Sequence, residues 1–151
     1  MSLAVSQSLP PPSELIDADR LWQRHLRLAE FGATEAGGVN RQALSAEEIS
    51  ARAELVSWAG AARLAVANDE TGNLFFRLEG EDPAAPPVLS GSHIDSQPTG
   101  GKFDGAFGVL AALEVLCALA ESGRRPRRAI EAVAWTNEEG SRFSPGMMGS
   151  E

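Results

Sequence analysis

The chain has 151 residues, 43% hydrophobic and 23% charged, a balance that fits one globular domain and lies far from disordered composition. Its formal net charge of -8, with a pI near 4.8, argues against nucleic acid or an anionic membrane as partner, because phosphates are repelled on average. No window approaches the ~20 apolar residues of a bilayer span, and the single cysteine, Cys117, cannot form an internal disulfide, so a reducing, cytoplasmic location is expected.

Residues 1–13, "MSLAVSQSLPPPS", carry three consecutive prolines and read as a disordered arm, with 14–151 as the folded part. From Ile16 to Phe31 the apolar positions give an amphipathic helix, with Asp17 or Asp19 available near its start. His25 on that helix has no ligand-type partner at helical spacing and reads as a surface histidine. "TEAGGVNRQALS" is a loop, and the helix after it opens with Ser45 and Glu48 in capping-box spacing and carries Trp58 as a core residue. A turn feeds a strand over Asn73 to Leu78, and "DPAAPP" breaks the chain.

"PVLSGSHID" follows as a strand ending in polar residues, then a glycine-rich loop, then a strongly apolar helix from Gly105 to Ser122 that closes at Gly123. "AIEAVAWT" is the next strand and "NEEGSRFSPGMMGSE" the turn and loop after it. Strand, helix and strand at this spacing form a βαβ unit with parallel neighbours and a right-handed crossover, so the fold class is α/β. The basic cluster Arg124, Arg125, Arg127 and Arg128 around Pro126 reads as a solvated connection.

In open α/β sheets functional groups gather where strands end. Alternation places His93 and Asp95 on one face of their strand, where Asp95 is available to orient the imidazole. Asp104 opens the following helix, and Glu138 and Glu139 stand at the next strand end. One nitrogen with several carboxylate oxygens is a half-site for zinc or manganese, and a further carboxylate beside a metal-bound water would serve as general base. Gly100 and Gly101 let the loop turn sharply past the site. Taken singly, His93 reads as a hydrogen-bonded histidine rather than a ligand, and Glu138 and Glu139 as an acidic turn; only the convergence of two strand ends carries weight. "TGGKFDG" lacks the ending of a P-loop, and neither Ser92 nor Cys117 has the setting of a nucleophile.

"GSHIDSQPTGGKFDGAFGVLAALEVL" and "IEAVAWTNEEGSRFSPGMMGS", with "GGVNR" and "DETGNLFFRLEG" before them, resemble the amidase/hydantoinase/carbamoylase family of dinuclear metallohydrolases. The resemblance implies an incomplete αβα catalytic domain of the zinc-peptidase type with a mixed, largely parallel sheet. It implies that His93 and Glu139 bind one metal each, that Asp104 bridges the two, that Glu138 is the general base and that Asp95 orients His93. The cofactor would be two divalent ions, zinc or manganese, per complete subunit.

The implied reaction is hydrolysis of an N-carbamoyl-L-amino acid to amino acid, ammonia and carbon dioxide; allantoate hydrolysis is the alternative within the family. The complete protein is expected to be a homodimer. Family members are longer, with two further histidine ligands and a lid and dimerisation domain downstream, so this chain is expected to be an N-terminal portion, inactive alone. A reading from another class is a noncatalytic module that binds an amino-acid-like anion or a partner.

Overall fold

The computed structural model describes residues 11–151. Its helices are α1 (Ala18–Leu28), α2 (Ala46–Ala61) and α3 (Ala106–Glu121); its strands are β1 (Ala65–Asn68), β2 (Leu74–Leu78), β3 (Val88–His93) and β4 (Ile130–Trp135). Most of the arm expected over 1–13 lies outside the described residues. Its last part does not: Pro12–Leu15 form a 3-10 turn, and Pro12 and Ser13 meet Val115 and Leu119 of α3.

The helix boundaries follow local chemistry. The Asp17 carboxylate accepts from Arg20 N at 2.9 Å and caps α1, while the Ser45 hydroxyl accepts from Glu48 N at 3.2 Å and caps α2. Helix α1 ends at Leu28, before the expected Phe31, because the chain turns through Gly32, whose φ of +81° suits glycine. Gly123, at φ +71°, closes α3.

The four strands are ordered β1-β2-β4-β3. β1 and β2 pair antiparallel, as do β2 and β4; only β3 and β4 are parallel. The sheet is therefore mixed, but the expected parallel majority reduces to the one pair joined through α3. The physical reason is connection length: a short turn at 69–73 joins β1 to β2 and permits antiparallel pairing alone, whereas the helical crossover permits parallel pairing. β1 itself escapes a sequence reading, since Ala-Val-Ala-Asn has neither alternation nor strong β preference; the Asp69 carboxylate, which accepts from Thr71 N and Asn73 N, turns the chain and sets the hairpin register.

All three helices lie on one face of the sheet. Leu28 of α1, Leu55 of α2 and Leu113 of α3 share a buried cluster with Phe76 and Ala134, alternate positions of β2 and β4. The other face carries Phe75 against Trp135, ring centroids 6.0 Å apart. Helices α1 and α3 are also fastened by charge: Glu114, fully buried, receives Arg20 Nε and Nη2, each at 2.7 Å, and the backbone N–H of Asp17 at 3.0 Å.

His25 is not a surface residue. It is 3% exposed, stacked on Phe107 at 5.6 Å and edge-on to Phe103 at 5.5 Å. Its partners come from the first turn of α3 and the loop before it, 78 or more positions away in the chain, where helical spacing gives no sign of them. Cys117 is buried and Trp58 packs half-buried against the core, as expected. Among the described residues no helix is long and apolar enough to cross a membrane.

Candidate metal centre at the strand ends

Parallel pairing sets His93 beside Trp135, so the chain leaves β3 and β4 at the same end of the sheet. The His93 ring is buried, with Nδ1 3.0 Å from the carbonyl of Asp95 and 3.6 Å from its carboxylate. A carbonyl can only accept, so Nδ1 donates, and in the neutral ring Nε2 keeps its lone pair. That free nitrogen faces Glu138, at 3.4 Å from Oε2. Burial disfavours the charged ring, but the Asp95 carboxylate and carbonyl and the Glu138 charge outweigh it and raise the His93 pKa above its ordinary value.

Behind the ring the fit is tight. Gly105, at φ +61°, caps α3 without a side chain, and a Cβ there would overlap three atoms of the imidazole. Only glycine lets the start of α3 lie this close to His93.

Asp95 joins the two strand ends. Its carboxylate oxygens accept from Glu138 N and Glu139 N, each at 3.2 Å, so the residue expected to orient His93 also fixes the turn after β4. Gln97 Nε2 donates to Glu139 Oε2 at 2.8 Å. The same turn depends on two residues whose roles the sequence did not reveal. Asn137, at φ +52°, donates through Nδ2 to the carbonyls of Phe143 and Pro145. Asn73 accepts from Thr136 N at 2.8 Å and donates to Gly149 O at 2.7 Å. The available signal was chemical: asparagine is enriched where the backbone turns left-handed, and its amide both donates and accepts.

His93, Glu138 and Glu139 each offer a donor atom within 4.8 Å of the others. An imidazole nitrogen with two carboxylates suits a borderline divalent cation. The donor set fits one ion. Asp104 is not in this group; it is exposed, one residue from the Gly105 that abuts the His93 ring. A pocket of about 360 Å³ lies away from these groups and is lined by Arg63, Arg77, Glu79 and Arg125 among others. Arg77 and Glu79 satisfy each other there at 2.8 Å.

The profile of peptidase family M28 matches residues 73–151. The chain is 43% identical over 93% of its length to an N-carbamoyl-L-amino-acid amidohydrolase of Rhizobium meliloti, and 47% identical over 90% to one of Geobacillus stearothermophilus. The crystal structure of a hydantoinase/carbamoylase family amidase from Burkholderia ambifaria superposes with a TM-score of 0.87 at 48% identity over 89% of the chain. The chain spans 34%, 33% and 33% of these proteins respectively, about a third of their length.

Proposed function

We propose, from the premise that this chain belongs to peptidase family M28, that residues 14–151 are the N-terminal part of a metal-dependent amidohydrolase catalytic domain. The substrate is an N-carbamoyl-L-amino acid, hydrolysed at its carbamoyl C–N bond to the amino acid, ammonia and carbon dioxide. The observation that carries this reading is the meeting of His93 Nε2 with the Glu138 and Glu139 carboxylates where β3 and β4 end side by side. The names of the carbamoylase relatives supply the substrate class.

His93, Asp104 and Glu139 would hold the divalent ions, zinc or manganese. A bound divalent ion would polarise the substrate carbonyl and make water acidic near neutral pH. Asp95 keeps Nδ1 of His93 protonated by accepting from it, which leaves Nε2 as the donor. Gln97 occupies one oxygen of Glu139 and leaves the other for coordination. Glu138, with a side chain 31% exposed, is placed to take the proton of the attacking water and return it to the departing nitrogen. Two ions need more ligands than one histidine and three carboxylates offer, so the site is completed by the rest of a longer protein, which we read as a cytoplasmic homodimer.

The test is Glu138→Gln in the complete protein. Turnover of N-carbamoyl amino acids is expected to fall about 10²–10⁴-fold with metal content unchanged. Normal turnover with metals retained would remove Glu138 as the base. Turnover of allantoate in preference to N-carbamoyl amino acids by the unaltered protein would overturn the substrate assignment.

A further inference from the structure

We infer that Arg41 is a positioning residue for the candidate metal centre, and that residues 38–41 form a strap locking the loop after β3 from behind. The inference rests on the reading above for the role of the metal; its geometry stands without it. The strap precedes residues 73–151, where the family profile matches.

The loop has to hold Asp95 against His93 on one side and against the backbone of Glu138 and Glu139 on the other. Inside itself it has little to keep it there: Gly100 N reaches Gln97 O at 3.1 Å and the Ser96 hydroxyl reaches Gln97 O at 2.9 Å. Its order comes from the strap. Val39 and Gly100 exchange two backbone hydrogen bonds, at 2.9 and 3.0 Å. Arg41 N donates to the Ser96 hydroxyl at 2.8 Å, and Ser96 N donates to Arg41 O at 2.9 Å. The approach is close enough that a Cβ on Gly38 would stand 2.5 Å from Gly100 O.

The Arg41 side chain completes the lock. It is 1% exposed and donates from Nε to Ile94 O at 2.7 Å, and from Nη1 to Leu28 O at 2.7 Å and Phe31 O at 3.1 Å. Ile94 O belongs to the peptide that leads into Asp95, so fixing this carbonyl fixes the direction in which Asp95 leaves the strand. Leu28 O and Phe31 O anchor the guanidinium to the end of α1. One side chain thereby references the metal-site loop to a helix.

A buried guanidinium without a paired carboxylate is costly, and among the described residues Arg41 pairs with none. Burial pulls its pKa down to about 10, against the opposing charges of Glu48 and Asp95. The rigid fork binds carbonyls of two separate segments at once, which a single ammonium does not reproduce.

Three variants of the 151-residue chain test the inference: Arg41→Met, Arg41→Lys, and Leu64→Ala as a control. Leu64 is a core residue beside β1, at the end of the sheet opposite His93. Amide hydrogen exchange is read without metal, and zinc affinity by competition with a chromogenic chelator. Arg41→Met is expected to speed exchange at Glu138 and Glu139 beyond the control and to weaken zinc roughly 10-fold, with Arg41→Lys between it and the unaltered chain. Exchange at those two amides no faster than in the control, or a control that loses zinc equally, overturns the inference. If Arg41→Met does not fold, Ser96→Ala takes its place: selective loss of protection at 138–139 sustains the strap and unchanged protection sinks it. An unaltered chain that binds no zinc, yet shows the exchange pattern, counts against the proposed function and leaves the strap standing.

Discussion

The His25 ring lies flat on Phe107, neither nitrogen has a hydrogen-bond partner among the described residues, and burial lowers its pKa. In the unfolded chain it takes a proton near pH 6.5, the ordinary histidine value; in the folded chain it resists until lower pH. The unfolded state therefore binds more protons in this window, and the His25 contribution to stability is full above about pH 6.5 and falls as pH falls through it. His93, raised in pKa, acts with the opposite sign, so the difference between the unaltered chain and His25→Phe isolates the first. Thermal unfolding at pH 7.5 and 5.5 is expected to show a smaller acid loss in His25→Phe. Gly105→Ala makes a second residue-scale prediction. The left-handed backbone costs about 1–2 kcal/mol and the overlap with the His93 ring adds to it, so a lower melting temperature is expected together with weaker zinc binding in a competition assay.

At the scale of elements, caps and charges divide unequally between what a sequence displays and what it hides. Ser45 and Glu48 announce the start of α2 within four residues, and the hydrogen bond is made; Ser45→Ala should cost about 1 kcal/mol in urea unfolding. Glu48 does more than the motif implies, since its carboxylate is buried and paired with Arg52. Glu114 looks like a polar interruption of an apolar helix, yet it receives Arg20, Arg24 and the N–H of Asp17 from 90 or more residues away. Breaking such a buried pair costs about 3–5 kcal/mol, and Glu114→Gln should lie at the low end because Arg20 is 23% exposed. A urea midpoint within error of the unaltered chain would contradict this account of the α1–α3 contact.

On the scale of the whole molecule, the helices cover one sheet face, while β3 stands at the edge of the described sheet with Val88 46% and Leu89 45% exposed. The described donors converge on one cluster from two strand ends, and Asp104 stands outside it. Donors gathered from one side hold a cation weakly compared with a closed four-ligand site. Elemental analysis after dialysis against a weak chelator is therefore expected to find well under two ions per chain. Two retained ions would mean that this chain, alone or self-associated, completes the site.

The sequence by itself determined the local and the chemical: the βαβ pattern, the cap at Ser45, the closure at Gly123, and the histidine and carboxylates placed at the two strand ends. These follow from periodicities and spacings of a few residues, which solvent and backbone geometry read directly. What only the tertiary structure decided was every relation between distant segments. The antiparallel majority of the sheet came from one hairpin and from the pairing of β2 with the distant β4, the burial of His25 from rings in and just before α3, the double duty of Asp95 from the turn after β4, and the role of Arg41 from carbonyls of two other segments. Backbone carbonyls and amides carry most of those contacts, and because every residue has them, no pattern of side chains foretells which ones will meet.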